Sequence, residues 1–294
     1  MNCTRLCEQF GLSRQGYYKL LRRHSKESTE SEQVKGLVRR VRVKHAKMGG
    51  KKVHEKIKPQ LAQQGIRCSR DRLFSILREG GMLIRKRKRY VKTTQSYHRF
   101  FKYQNMVKDK DINGSEQVWA SDITYIRTKE KPMYLSLVTD VYSKQIMGWE
   151  LSDNLRTVNC ITAMRMAVGR RQYRDRALIH HSDRGLQYCH PDYIALLEKN
   201  SIRVSMTTKH DPYENAVAER VNGILKDEYA IESFRTEKEA RREIKAAIRL
   251  YNTDRPHLSC GYRTPQQAHR TEGYKLKRWP CKKSTRDMSL VDFK

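Results

Sequence analysis

No run of residues in this sequence approaches 18 consecutive apolar positions, and nothing near its start resembles a charged-then-apolar export signal. A membrane span and secretion are thereby set aside, and the expectation is a soluble, cytoplasmic chain. The seven cysteines, at 3, 7, 68, 160, 189, 260 and 281, are odd in number and irregularly spaced. They suggest no disulfide framework and read as free thiols in a reducing compartment. No glycine-rich phosphate loop supports a dinucleotide-binding reading. No His pair is followed by a Cys-x-x-Cys pair, and His180, His181 and Cys189 are too cramped to form a zinc set. Also absent are sustained heptads, a convincing Ser-His-Asp set and a basic amphipathic helix with aromatic anchors for a membrane surface.

Positive charge is what the sequence has in abundance. Its 294 residues carry 62 Lys+Arg against 32 Asp+Glu, a formal net charge of +30. Residues 1–110 hold 30 Lys+Arg and 8 Asp+Glu, whereas residues 111–294 hold 32 and 24, so the front third is +22 and the rest only +8. Such density attracts nucleic acid by neutralising phosphates and releasing counterions, although charge alone would equally suit association with ribosomes. The hydrophobic fraction of 37% is low, but 16 Tyr, 10 Met and 3 Trp are inconsistent with a largely disordered chain. The length accommodates one large domain or two to three small ones.

The opening TRLCEQFGLSRQGYYKLLRR holds two short apolar-periodic pieces broken at Gly11, with Ser13 placed to cap the second. It has the outline of a helix-turn-helix over residues 1–28, with Arg14 and Lys19 as candidate DNA contacts. SEQVKGLVRRVRVKHAKM predicts a separate basic helix. After Gly49 and Gly50, residues Val53, Ile57 and Leu61 line one face of a helix that Pro59 is expected to kink or break. Ser69 then caps another helix, in which Leu73, Phe74, Ile76 and Leu77 are available to pack. Residues 29–90 thus read as a second basic helical DNA-binding module. Arg85, Lys86, Arg87, Lys88 and Arg89 follow in succession as a solvated strip, a linker or a phosphate-contacting arm, the last being favoured in this setting. A basic linker is expected over 91–114, ending near the turn signal Asn113-Gly114.

From Val118 the pattern changes. VWASDITYIRT, MYLSLVTDVY and KQIMGWEL read as three antiparallel strands joined by short connections. A helix, a strand at ALIHHSD, a helix at PDYIALLEKN, a short strand at IRVSMT and a long helix beginning near Pro212 follow. The expected class is α/β, a mixed sheet flanked by helices over residues 115–270, preceded by small all-helical modules and followed by a basic tail over 271–294.

Three acids fall at informative places in this pattern. Asp122 lies inside the first strand, on the same face as Ala120 and Thr124, where a carboxylate is expensive to bury unless it meets a metal or a donor. Asp183 ends the fourth strand, and Glu219 lies on the last long helix with 35 residues between the two. Carboxylates from two strands and a helix can converge, and such a set suits phosphodiester cleavage with two Mg²⁺ ions, Asp122 being the natural bridge. That chemistry draws its nucleophile from water or DNA, so it needs no protein Ser or Cys. Each acid also has a structural alternative. Asp122 could hydrogen-bond Thr124 or cap a strand end, Asp183 could form an Asx turn, and Glu219 could pair with Arg220 or Lys226 on the helix surface.

Taken in order, WASDITYI, DVYSKQIMGW, HSDRGLQY, the NAVAER helix and YNTDRPH with Pro265 resemble the integrase-type core of bacterial insertion-sequence transposases. The resemblance is specifically to their larger B subunit, which is related to retroviral integrases, and it covers most of the chain. It implies a ribonuclease H-like fold with Asp122, Asp183 and Glu219 as the catalytic and metal-holding triad, two Mg²⁺ ions per site and Mn²⁺ as a substitute. It further implies water attack at an element end to free a 3′-OH, which then attacks another strand; relatives typically pass through a circular intermediate. The implied partners are double-stranded DNA, as terminal repeats and target, a homo-oligomer that synapses two ends, and a small helper subunit. The implied place is the bacterial cytoplasm at the nucleoid.

Around the triad, Asn215 and Lys226 lie four before and seven after Glu219, near one helix face. Lys226 is read as a phosphate contact or a surface ion pair, and Asn215 as orienting Glu219 or touching DNA. Asp140, the rival carboxylate, is expected at a turn. His181 could place a water or a phosphate, or be structural. The chain departs from the family in carrying Glu214-Asn215-Ala216 where Asp-Asn-Ala is usual, and KHDPY where the preceding loop usually has a glycine. Two other functions compete: a non-catalytic DNA-binding regulator, which would have lost one of the three acids, and a structure-selective nuclease of the same fold.

Overall fold

In the computed structural model of the protein, residues 7, 9–84, 99–108, 110–208, 214–271 and 273 are described. The basic run 85–89, the loop 209–213 with KHDPY and Pro212, and the tail after 273 lie outside them. Gly11 turns the chain with a left-handed φ of 63°, and helix α1 (Arg14–Lys44) begins at Ser13, whose hydroxyl accepts from Gly16 N at 3.0 Å. Two helices were expected between residues 13 and 48; the structure corrects this to one helix of 31 residues. Residues 24–33 contain neither Gly nor Pro, and the Arg23–Glu27 pair at 2.8 Å supports the helix through the expected junction. Glu30 also meets Arg72 at 2.8 Å, tying that turn to a later helix.

Helix α2 (Gly50–Gln63) continues through Pro59, so the proline does not break it. Val53, Ile57 and Leu61 are all buried on one face, and their packing outweighs the roughly 3 kcal/mol that an interior proline costs. Gly65 turns the chain at φ 67°, and Ser69 caps α3 (Arg70–Glu79) as expected, accepting from Arg72 N at 3.2 Å. Val38, Met48, Val53, Ile57, Leu73 and Leu77 form the centre of a core belonging to these three helices.

The larger unit follows the expected strand and helix order. Strands β1 (Val118–Thr128), β2 (Pro132–Asp140) and β3 (Ile146–Ser152) form an antiparallel meander. Helix α4 (Thr157–Gly169), strand β4 (Leu178–Ser182), helices α5 (Leu186–Cys189) and α6 (Pro191–Lys199) and strand β5 (Ile202–Met206) come next. Helix α7 (Ala216–Tyr229), the short β6 (Ser233–Phe234), α8 (Glu237–Thr253) and α9 (Pro265–Arg270) complete it. The first described turn of α7 begins at Ala216, later than Pro212. The sheet order is β3-β2-β1-β4-β5, with β4 and β5 parallel to β1 and β6 pairing the far end of β1.

Helices cover both faces of this sheet. Trp119, Val138 and Met147 pack with α4 and α6, whereas Ile126, Leu137 and Trp149 pack with α7 and α8. The alternation of β1 therefore turns Asp122, which shares the side of Ile126, toward α7. Gly148 on β3 lets α4 lie close: a Cβ there would fall 2.0 Å from the Ala163 carbonyl oxygen. Asp140 closes the β2–β3 turn, fully buried and accepting from Ser143 N at 2.7 Å and Glu116 N at 2.6 Å, as expected of a turn residue. No disulfide joins the described cysteines Cys7, Cys68, Cys160, Cys189 and Cys260 to one another. No helix among the described residues is long and apolar enough to cross a membrane.

Candidate active site

The parallel register of β1 and β4 pairs Ala120 with His181. Two residues further on, Asp122 and Asp183 come level at the point where β4 has ended and β1 continues. An opening beyond the carboxyl end of a parallel strand is where open α/β sheets usually bind ligands. Helix α7 crosses β1 here. The Asn215 side-chain amide donates to the Ser121 carbonyl at 3.1 Å, and that of Asn222 donates to Asp122 Oδ2 at 2.8 Å. These two residues are seven apart on one helix face, and Glu219 lies between them on that face.

Asp122 is partly exposed and its other oxygen accepts from Ile123 N at 2.9 Å. Burial, followed by the negative charges of Asp183 and Glu219, pushes its pKa up to about 7. Glu219 is raised as well, by burial and by Asp183. The three acids thus lie near enough to oppose one another's ionisation. Asp183 Oδ1 also accepts from Gly185 N at 3.0 Å, so the Asx turn offered as its structural alternative is present and coexists with this proximity. Among the described residues, no three or more His, Cys, Asp or Glu are drawn into a metal-holding group.

Under these acids lies a neutral polar layer. His180 Nε2 is 2.8 Å from the Ser121 hydroxyl and 3.1 Å from the Tyr193 hydroxyl, and burial pushes its pKa down to about 3. His181 is buried, with Nδ1 2.9 Å from the Ser205 hydroxyl and its proton affinity lowered by burial. Both imidazoles brace strands. Glu214 accepts from the Thr208 hydroxyl at 2.6 Å and from the Thr208 backbone N–H, linking the described residues on either side of 209–213.

The structure gathers Asp122, Asp183, Glu219 and Asn215 and leaves other candidates elsewhere. Arg14 and Lys19 are exposed on the first two turns of α1, far earlier in the chain, with Arg14 6.0 Å over the Tyr18 ring. Lys226 is half-buried one turn beyond Asn222. Arg85, Lys86, Arg87, Lys88 and Arg89 lie outside the described residues. Asn215 is buried, and its amide holds α7 to β1. Asn222 belongs to none of the motifs legible along the chain. Its spacing, three after Glu219 and seven after Asn215, was the available signal.

A mixed sheet in the order β3-β2-β1-β4-β5, covered by helices on both faces, is the architecture of a ribonuclease H-like core. The integrase core domain profile matches residues 113–212, and a second profile of the same description matches residues 200–265. The 31 kDa protein of insertion element IS600 from Shigella sonnei is 31% identical over 263 residues, covering 88% of this chain and 96% of its own. Transposase InsF for insertion sequence IS3A of Escherichia coli K12 is 29% identical over 269 residues, covering 89% and 92%. The catalytic core domain of HTLV-2 integrase, solved in complex with magnesium, aligns over 53% of this chain and 97% of its own, with 17% identity and a TM-score of 0.43. The chain belongs to the family of insertion-sequence transposases that carry the integrase core domain. It is accordingly an enzyme of the DNA transposase and integrase class.

Proposed function

We propose that the protein cleaves the ends of a mobile element to free a 3′-OH and joins that end to a target strand, with Asp122, Asp183 and Glu219 as its catalytic acids. The observation that carries this reading is the raised proton affinity of Asp122, caused after burial by the other two acids. Mutual repulsion within an all-carboxylate set favours a cation, and hard oxygen donors favour Mg²⁺, or Mn²⁺ in its place. Asp122, Asp183 and Glu219 would together hold two such ions. Two bound divalent ions would activate the attacking oxygen and stabilise the leaving one.

The remaining roles belong to the chain. Asn222 and Ile123 N orient the two Asp122 oxygens, and Asn215 fixes the entry of α7, so Glu219 faces the strand that carries Asp122. His180 and His181, neutral and engaged with hydroxyls, supply the bracing and leave proton transfer to water and DNA. Double-stranded DNA is the substrate, positioned by basic residues of the helical front over residues 1–90, Arg14 and Lys19 among them, by the arm 85–89 and by Lys226. The division continues with a linker over 91–114, the core over 115–270 and a basic tail over 271–294. Two element ends must be brought together, so the working form is a homo-oligomer, with a small helper subunit assisting end recognition at the nucleoid.

Glu219→Gln tests the assignment. End cleavage and strand transfer on a labelled end duplex with Mg²⁺ are both expected to vanish, while DNA affinity stays within a few fold of the parent. Retained cleavage would remove Glu219 from the triad. Cleavage without strand transfer by the parent protein would instead indicate a nuclease.

A further inference from the structure

The front helices meet the core through a polar socket at the far end of the helix that carries Glu219. Glu228 and Tyr229 are the last two residues of α7, and Asp254 and Arg255 directly follow α8. Glu228 accepts two hydrogen bonds from the Arg255 guanidinium, at 2.7 and 2.9 Å, and also meets Lys52 Nζ from α2. His45, just past α1 and 1% exposed, places Nδ1 3.0 Å from the Tyr229 hydroxyl and Nε2 2.7 Å from Asp254 Oδ2. Lys56 on α2 donates to Asp254 Oδ1 at 2.6 Å and to the Asp254 carbonyl at 3.0 Å. Lys47 N reaches the Glu228 carbonyl at 3.3 Å.

This contact differs in kind from the packing on either side of it. The apolar core of α1–α3 and that beneath α7 and α8 are separate clusters, and the hydrogen bonds and ion pairs across the seam join them. Directional polar contacts fix register where an apolar contact would tolerate sliding. Both walls of the socket are anchored, one on α2 and the other on α7 and the end of α8. From Glu228 back to Glu219 is nine residues of continuous helix, about 14 Å at 1.5 Å per residue. Asn222, between them, holds Asp122.

We propose that this socket is the joint through which the front helices set the placement of Glu219 against Asp122, with His45, Lys52 and Lys56 as positioning residues for the transferase reaction. The proposal rests on the reading of the front helices as a part that holds DNA. A helix seated on a DNA end then fixes α2, α2 fixes the end of α7, and α7 carries Glu219 toward the strand that holds Asp122.

Lys56 and Asp254 give the cleanest test, because their side chains, 20% and 36% exposed, are the least buried ion pair of the socket. In the full chain with Mg²⁺ and labelled end DNA, Lys56→Glu and Asp254→Lys are each expected to lower kcat for end cleavage about ten-fold. Neither should change Kd for that DNA by more than three-fold or lower the melting temperature appreciably. The double variant, with the charges exchanged, is expected to recover to within about three-fold of the parent kcat. Lys56→Gln, free of any like-charge clash, should show the same split at about three-fold. Unchanged cleavage in the single variants, a loss that the exchange fails to restore, or a fall in kcat matched by equal losses of binding and melting temperature would each overturn the joint. The underlying reading is tested separately by replacing Arg14 and Lys19 together with Ala. An unchanged Kd in that variant would count against DNA holding by α1 and leave the exchange result to be read alone.

Discussion

Replacing Asp122 with Asn should make the metal-free protein more stable while ending its activity. In the folded chain this acid has a pKa of about 7, against an ordinary value of 3.8, because burial and the charges of Asp183 and Glu219 oppose its ionisation. The folded form therefore binds the proton more tightly than the unfolded chain. The corresponding stability is fully present below pH 3.8 and is lost as the pH rises through 7. A shift of about three pKa units at about 1.4 kcal/mol each sets a ceiling of about 4 kcal/mol at pH 8. Water at the partly exposed carboxylate and relaxation of its neighbours reduce this to about 2 kcal/mol. Asn is nearly isosteric and keeps an acceptor for Asn222 or Ile123 N, so little packing is lost. Scanning calorimetry in EDTA should show the variant melting about 4–8 °C above the parent at pH 8, a margin that shrinks toward pH 4. Mg²⁺ should raise the melting temperature of the parent much more than that of the variant. A variant no more stable at pH 8, or a gain that persists unchanged into acid, would refute the like-charge argument.

Asn222→Ala removes the amide that orients Asp122 Oδ2 and should lower cleavage by about ten- to a hundred-fold. The Mg²⁺ concentration for half-maximal rate should rise with it, and an unchanged Mg²⁺ titration would contradict that role. Gly148→Ala forces a methyl to within 2.0 Å of the Ala163 carbonyl oxygen, so β3 and α4 must separate; urea unfolding should show a loss of about 3 kcal/mol. Replacing residues 85–89 with Gln should weaken binding to every duplex and flatten the salt dependence by about 0.9 in log–log slope per lost phosphate contact. A loss confined to one DNA sequence would point to base reading instead.

Much of this organisation is legible along the chain. Alternation marks β1 and shows that Asp122 shares a face with Thr124, while the Ser13 and Ser69 caps locate helix starts in α1 and α3. The five ordered motifs indicate the family, and Asp140 reads correctly as a turn residue. The misplaced boundary within α1 has a definite cause. Its middle turns are polar and weakly periodic, so a pattern reading breaks the helix where i,i+4 pairs and the contact from Arg72 maintain it. Pro59 misleads in the opposite way, because packing on both sides of it overrides the local penalty.

What the sequence determines by itself is local: residue type, period, caps, the charge gradient and the presence of three acids at strand and helix positions. Tertiary structure alone decides which of these meet. Asn222 reaches Asp122 across 100 positions, and Lys52 reaches Glu228 across 176. No periodicity spans such distances. Their pairing follows from the way strand order and helix packing close the chain on itself, and the proton affinity of Asp122 follows from that closure.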